Sequence, residues 1–397
     1  MAVNERNLAL GRSRSAIREV AAVAAARAAD PHAGETYDFS LGNPSVPAPD
    51  EVRASIERAL LLPSRELHGY TPAAGLPEAR EAVAASLRRQ FGPGAATAGD
   101  LFLTCGAAAS VCCALHALCA PGDEVLLVVP CFPEYRVWVE SAGARCVEVP
   151  ADPVTFQLDL GAVEAALTPR TRVVVVDSPN NPTGVVYPRR DLESLSALLD
   201  GAEACWGRPV TLLSDEPYRQ LSYGAEVAWV PSVRPRSVVC TSCSKSLSLP
   251  GERIGWLLVP PDSPEHDELL AAVAGAARAL GFVCAPSLFQ RVLADCADVS
   301  CDVAAYDANR RLLCDGLRAL GYGFVEPQGA FYLWVRSLEP DEGAFFSRAS
   351  GLGLLPVPST SFGCPGWVRA SYCVPADVIR RSMPAWAALA ESYRTRG

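Results

Sequence analysis

The chain contains a single lysine. Of its 35 Lys and Arg residues all but one are arginine, and the exception is Lys245, in the stretch Thr241-Ser242-Cys243-Ser244-Lys245-Ser246-Leu247-Ser248. Guanidinium stays protonated at any working pH, so arginine can supply charge but cannot attack a carbonyl. An amine can, once its pKa is lowered. A surface lysine left over by chance meets the same count, so the neighbours decide. Asp215 follows the apolar run Val210 to Leu213, in Ser214-Asp215-Glu216-Pro217-Tyr218. A carboxylate at such a near-buried position is costly unless paired. The stretch Asp177-Ser178-Pro179-Asn180-Asn181-Pro182-Thr183-Gly184 crowds two asparagines and a threonine around two prolines. Turn chemistry explains its Pro and Gly but not the asparagines. Arg253 stands eight residues after Lys245, and Arg369 is alone in the apolar segment Trp367-Val368-Arg369-Ala370-Ser371. A lone arginine in an apolar strand needs an anion.

These parts have one joint chemistry. A lysine amine that forms a Schiff base, a carboxylate that keeps a pyridine nitrogen protonated and a phosphate cup together make a site for pyridoxal phosphate. A carboxylate raises the pKa of the ring nitrogen and strengthens the ring as an electron sink. Ser242 and Arg253 flank the lysine at spacings that let both meet the phosphate, Arg253 through two parallel bonds. Cys105-Gly106-Ala107-Ala108 is a small-residue turn into a helix whose free N–H groups suit a phosphate. Close helix–strand packing explains the same residues. Phe132, in Pro130-Cys131-Phe132-Pro133, could stack on a planar ring, although a core phenylalanine is the commoner outcome.

The elements that must position these groups are legible as alternating apolar strands and helices. Strands are predicted at Leu101–Thr104, Glu124–Val129, Arg172–Val176, Val210–Leu213, Ser237–Cys240 and Ile254–Val259, with helices between several of them. This alternation predicts an α/β fold with a mostly parallel sheet covered by helices on both faces. Ligands of such sheets sit at the carboxyl ends of the strands, where the candidate groups fall. After about residue 262 the pattern changes to long helices (Pro264–Leu280 and Ala285–Leu320, interrupted near Asp298). Short strands follow at Ala330–Val335, Leu354–Val357 and Trp367–Ser371. We expect a large unit over 45–280 and a smaller α+β unit made of 1–44 plus 281–397. Before the sheet, helices are predicted over 13–28, from an Asp50 N-cap to about Leu62, and over Pro77–Phe91.

Composition narrows the function classes. Hydrophobic residues make up 50% and charged residues 20% of the 397-residue chain, as in a globular protein. The net charge is -9, and no basic stripe is present, which argues against nucleic acid. The stretch Val20 to Ala29 is too short to span a bilayer and carries Arg27. No signal-peptide pattern is seen at the start, so a cytoplasmic protein without membrane attachment is expected. The 15 cysteines sit in apolar runs and suit small buried hydrophobes in a reducing compartment. Cys240 and Cys243 have C-x-x-C spacing, but no second pair or nearby histidine completes a zinc site, and no metal is expected.

Asn181-Pro182-Thr183-Gly184, Asp215-x-x-Tyr218 and Ser242-x-Ser244-Lys245 with Arg253 together resemble the signature of fold-type I aminotransferases. The class I/II branch, which includes aspartate, alanine and aromatic aminotransferases, is the nearest in pattern. The match runs in family order from Leu41-Gly42 to Val368-Arg369. The resemblance implies an aspartate aminotransferase-like fold and a ping-pong exchange of an amino group between an L-amino acid and a 2-oxo acid. It implies that Lys245 is the Schiff-base lysine and proton shuttle and that Asp215 pairs with the pyridine nitrogen. It further implies that Tyr218 and Asn181 bond the ring 3-oxygen, and that Phe132 stacks on the ring. Gly106, Ala107, Ala108, Ser242, Ser244 and Arg253 would form the phosphate site. Arg369 would clamp the substrate α-carboxylate, with Gly42 a backbone contact nearby. Tyr70, in His68-Gly69-Tyr70-Thr71, matches a residue that reaches the phosphate of the other subunit, which implies a homodimer with shared sites.

Three positions depart from the family pattern: Ala107 and Ala108 stand where relatives often carry hydroxyls, and Ser359 stands in place of a glycine. The same residues begin carbon–sulfur β-lyase, oxidase or decarboxylase chemistry, which the sequence does not separate from transamination. A PLP-sensing transcription regulator would need a DNA-binding module ahead of Gly42, for which some 40 residues leave no room. A dicarboxylate substrate would require a second cation, for which Arg12, Arg14, Arg18 and Arg136 are the candidates.

Overall fold

The computed structural model describes residues 3–12 and 15–395. A two-residue strand, β1 (Tyr37–Asp38), precedes the main sheet. The sheet is built from β2 (Leu101–Thr104), β3 (Glu124–Val129), β4 (Arg145–Pro150), β5 (Thr171–Asp177), β6 (Thr211–Asp215), β7 (Ser237–Ser242) and β8 (Gly255–Leu258). Its order is β2-β8-β7-β6-β5-β3-β4. Only β8 runs against its neighbours, β2 and β7; β7, β6, β5, β3 and β4 pair in parallel. The central strands are continuous Val/Leu runs because both of their faces are covered. Every residue of β3 is buried, and so is all of β5 except Arg172.

The one strand of this sheet that the hydrophobic pattern does not announce is β4. Its sequence, Arg-Cys-Val-Glu-Val-Pro, leaves Arg145, Glu148 and Pro150 exposed and only Val149 buried, because it is the sheet edge. Pro150 is tolerated there for the same reason.

The second part of the chain forms an antiparallel sheet, order β12-β13-β10-β9, from β9 (Phe324–Val325), β10 (Tyr332–Arg336), β12 (Val357–Pro358) and β13 (Trp367–Ser371). A short strand, β11 (Leu354–Leu355), pairs instead with β1. The predicted strand Leu354–Val357 is therefore two strands with different partners. The predicted helical stretch Ala285–Leu320 is interrupted around Asp298, as expected, into Ser287–Cys296 and Val303–Ala319. Asp50 does not cap its helix: Pro49 holds the cap position, and Asp50 opens the first turn of Asp50–Ala59. A proline there needs no N–H partner, and acids favour the first turn. The helix expected over 13–28 is Ala16–Ala29, and residues 13 and 14, including the candidate Arg14, lie outside the described residues.

The packing joins the two sheets at the site. Tyr218 and Leu221, which follow β6, sit in one core with Phe331, Tyr332 and Trp386. Trp334 of β10 packs with Leu126 of β3 and Val174 of β5 on a face of the large sheet. The helix Ser287–Cys296 contributes Val292, Leu293 and Cys296 to the core that holds Leu101, Leu103 and Leu258 of the large sheet. No described helix is long and apolar enough to cross a membrane.

Candidate active site

The carboxyl ends of β5, β6 and β7 open into one cavity with a volume of about 280 Å³. It is bounded by Gly42, Ala107, Ala108, Phe132, Asn181, Asp215, Tyr218, Ser242, Ser244, Lys245, Arg253 and Arg369, so twelve residues singled out from the sequence meet there. Tyr70 does not. It is 93% exposed on its loop and is absent from the wall of its own chain's cavity.

Lys245 lies in the single helical turn Cys243–Ser246 that ends β7. Its Nζ donates to the carbonyl of Gly42 at 2.5 Å and stands 5.3 Å from the centre of the Phe331 ring. Withdrawal from water lowers its pKa to about 8; Cys373 opposes this, and the positive charges of Arg369 and Arg253 add to it. A neutral, nucleophilic amine is thereby within reach at physiological pH. Gly42 must be glycine, because a Cβ there would collide with the Tyr332 hydroxyl.

Asp215 ends β6 and is 6% exposed. Its Oδ2 accepts from the Tyr135 hydroxyl at 2.6 Å, and its Oδ1 has no partner. Burial pushes this carboxyl up to about 7, against the pull of the Tyr135 bond and with help from nearby Glu216. A buried acceptor oxygen with nothing to accept calls for a donor in the cavity.

Arg253 and the start of the helix Ala107–Leu118 form a positive cradle. The first bond inside that helix runs from Ser110 N to Gly106 O, 3.1 Å, so the N–H groups of Ala107 and Ala108 lie ahead of it and are available. Gly106 has φ 90°, and a Cβ there would lie 2.6 Å from Arg253 Nη2. The guanidinium therefore stands over the turn and is held by Pro250 O at 2.8 Å and Ser244 Oγ at 3.4 Å. Arg253 itself has φ 52°, a conformation that costs energy for a non-glycine residue and is found at functional sites. A helix N-terminus and a guanidinium converging on one point suit an anion such as phosphate.

Arg369 on β13 is 1% exposed. It donates to Asn181 Oδ1 at 2.9 Å and to Ser40 O at 2.6 Å. Its guanidinium lies 4.3 Å from the centre of the Tyr332 ring and 5.1 Å from that of Phe362. Neither it nor Arg253 forms an ion pair among the described residues.

Sequence reasoning missed several groups. Tyr135 carries no sequence signal of its own; its hydroxyl holds Asp215. Tyr332 meets the Tyr218 hydroxyl at 2.8 Å and carries the face on which Arg369 rests. Trp138 and Ile17 complete the cavity wall. Only the helical spacing of Phe132, Tyr135 and Trp138 could have hinted that these aromatics share a face. The described arginines among those considered for a second carboxylate are elsewhere. Arg136 is bound to Glu148 and, at 2.8 Å, to Ser361 O; Arg12 and Arg18 are exposed, and none of the three lines the cavity. Ser359, the departure from glycine, is buried and accepts from Trp367 N at 3.1 Å.

The profile of the family "Aminotransferase class I and II" matches residues 35–383. The chain belongs to the class I and II aminotransferases. It is 33% identical over 357 residues to the aspartate/prephenate aminotransferase of Thermus thermophilus, covering 88% of this chain and 89% of that one. It is also 33% identical to the valine–pyruvate aminotransferase of Mycobacterium tuberculosis, over 88% of this chain and 90% of that one. An aminotransferase structure from Eubacterium rectale superposes with a TM-score of 0.96 at 46% identity, covering 99% of each chain. The T. thermophilus aspartate aminotransferase with maleate gives 0.85 at 30% identity, over 98% of this chain and all of that one. The fold is that of aspartate aminotransferase, and the chain is an aminotransferase of this pyridoxal-phosphate-dependent family.

Proposed function

We propose that this aminotransferase transfers an amino group from an L-amino acid to a 2-oxo acid in two half-reactions, ping-pong fashion, with pyridoxal phosphate held by Lys245. The observation that carries the reading is the content of one cavity: the chain's sole lysine, a buried carboxyl with a free oxygen, and two arginines without acid partners. These residues fit the cofactor. Asp215 Oδ1 would accept from the ring nitrogen, and Arg253 with the N–H groups of Ala107 and Ala108 would hold the phosphate, helped by Ser242 and Ser244. Phe132 would cover a ring face. Asn181 and Tyr218 would bond the ring oxygen; a hydroxyl can accept twice and donate once, so Tyr218 keeps capacity beyond its bond to Tyr332.

When bound, pyridoxal phosphate supplies an aldehyde carbon for the amine and a ring that takes up the electrons of the broken C–H bond. The chain does the rest. Arg369 fixes the substrate carboxylate, aided by Asn181, and this fixes the α-carbon. Gly42 O holds the Lys245 amine ready, and Nζ removes the α-proton and returns it to another carbon. Trp138, Ile17 and Phe132 shield the site from water.

We also propose a cytoplasmic homodimer, with Tyr70 reaching the partner's phosphate site; the exposure of Tyr70 and the 15 free thiols support this. We propose a large unit that starts at 45 and a smaller unit that includes 1–44; in place of the expected boundary at 280/281, the packing of Ser287–Cys296 against the large-sheet core favours a second junction between Cys296 and Val303.

A stopped assay with single amino acids tests the reaction. One equivalent of 2-oxo acid per site without ammonia, and turnover only when a second oxo acid is added, is expected. Continuous release of ammonia and pyruvate from one amino acid alone would replace this reading with carbon–sulfur β-lyase chemistry.

A further inference from the structure

A second carboxyl stands beside Asp215. Asp177 ends β5, Asp215 ends β6, and the two are register partners on adjacent parallel strands. Register partners project to the same face, and neighbouring strands lie about 4.8 Å apart. Asp177 is 5% exposed and Asp215 6%, and both line the cavity. Each has one oxygen engaged and one without a partner. Asp177 Oδ2 accepts from Asn181 N at 2.9 Å, Asp215 Oδ2 accepts from Tyr135, and both Oδ1 atoms are unpartnered. Neither carboxyl forms an ion pair among the described residues.

The groups around the pair supply no compensating charge. Tyr135, Tyr187, Tyr218 and Tyr332 are phenols pushed up by burial, and Cys131 and Cys240 are thiols pushed up by burial, so all six are neutral near pH 7. Glu216, next to Asp215, is taken by Arg219 and by Ser214 Oγ at 2.7 Å. Lys245, Arg369 and Arg253, the cations of the cavity, bond Gly42 O, Asn181, Ser40, Pro250 O and Ser244 instead. Two carboxylates side by side in a dry site cannot both ionise. Burial raises both, and the Asp215 charge adds to the rise at Asp177, which goes well above the carboxylate range.

We propose that Asp177 is a positioning residue of the transamination site: a neutral carboxylic acid that shares a proton with Asp215, leaves Asp215 as the one anion at the ring-nitrogen end, and anchors Asn181 beneath Arg369. The inference rests on the pyridoxal phosphate reading and adds a role to it. Asp177 Oδ2 fixes the backbone of Asn181, whose side chain receives Arg369. One residue thereby connects the nitrogen end of the cavity to its carboxylate clamp. The pair also sets the charge facing the ring at one unit, which matches one protonated ring nitrogen.

Infrared spectroscopy of the full chain tests this, with and without added pyridoxal phosphate. At pH 7 wild type should show the carbonyl stretch of a neutral carboxylic acid in both states, and Asp177→Asn should lose it in the loaded state, where the ring nitrogen would keep Asp215 ionised; without pyridoxal phosphate Asp215, raised to about 7, should keep part of the band. The asparagine keeps an acceptor for Asn181 N–H, so KM should hold while the acid limb of the kcat profile moves to lower pH, because Asp215 then ionises without a rival. Absence of the acid band from loaded wild type, or its persistence in loaded Asp177→Asn, overturns the proposal. Should the variant fail to fold, the wild-type band decides alone. A chain that takes up no pyridoxal phosphate overturns the cofactor reading and the role with it; a chain that takes it up without the acid band overturns only the role of Asp177.

Discussion

The two ends of the large sheet treat buried charge in opposite ways. At the amino end of β3, Glu124 is fully buried but accepts from Arg145 at 2.7 Å, Arg170 at 2.9 Å and Thr168 at 2.6 Å. Burial would raise its pKa, yet those bonds outweigh burial and hold it below the ordinary value. Arg234, 2% exposed, packs near the start of β7 against Asp200 at 2.6 Å, Glu203 and the carbonyl of Val210 at 2.8 Å. At the carboxyl ends, among the described residues, Asp215 and Asp177 have no cation, and Arg253 and Arg369 have no acid. In the first arrangement each buried charge meets an opposite one. The second is unbalanced within the chain, and its surplus is complementary to a cationic ring nitrogen, a phosphate and a substrate carboxylate. Burial alone does not mark function; burial without an opposite charge does.

Exchanging the two buried arginines in turn gives the largest contrast. Arg369→Ala should lower kcat/KM by about 10² to 10³-fold, the size expected for losing a buried charge-assisted contact, with little change in the denaturation midpoint. Arg234→Ala should leave kcat/KM as it is and cost about 2 kcal/mol of stability, because its acids are partly solvated and only part of a buried-pair loss is felt. Urea denaturation beside steady-state kinetics separates the two. A greater loss of stability in Arg369→Ala than in Arg234→Ala would break the comparison.

The two buried acids should differ in the sign of their pH dependence. Asp215 is raised from its ordinary 3.8 to about 7. The folded, cofactor-free chain therefore binds more protons than the unfolded chain between those values. Its stability is fully present below about pH 4 and is lost as the pH rises through 7, on the order of a few kcal/mol. Glu124 is lowered, so its contribution is present above the ordinary glutamate value and lost as pH falls. Asp215→Asn should flatten the decline toward pH 7, whereas Glu124→Gln should weaken the chain at pH 7 and leave that slope in place. Denaturation midpoints from pH 4 to 8 read both, and a slope unchanged in Asp215→Asn would contradict the assignment.

A smaller effect is expected where neutral packing holds the lysine. Gly42→Ala would push on the Tyr332 hydroxyl, move the carbonyl that holds Lys245 and lower kcat by about tenfold, the scale of a sub-ångström misplacement. Tyr332→Phe in the same chain should recover part of the loss; no recovery would mean that the collision is not the cause.

Much of this arrangement was legible in the sequence because strand ends in a parallel sheet are predictable from apolar runs. Lys245, Asp215 and Asn181 all stand within a few residues of such an end. Arg369 was legible as a charge misplaced in an apolar strand. The edge strand β4 was hidden because one solvated side erases the apolar run. Tyr135 and Tyr332 were hidden because a tyrosine that supports a carboxyl or an arginine reads like any core aromatic. Asp177 was not legible, because only the register of β5 and β6 sets it beside Asp215. Tyr70 resembles a shared-site residue by its neighbours alone, and its own chain offers it no contact in the cavity.

The central claim is that Lys245 holds the cofactor. The chain offers one ε-amine and the amino-terminal amine as its only primary amines. Borohydride reduction after incubation with pyridoxal phosphate, followed by peptide mapping, should place one label per chain on the peptide containing Lys245 and abolish activity, and Lys245→Ala should take up no label there. Label found only on the amino-terminal peptide, or a fully active chain after reduction, would contradict the account.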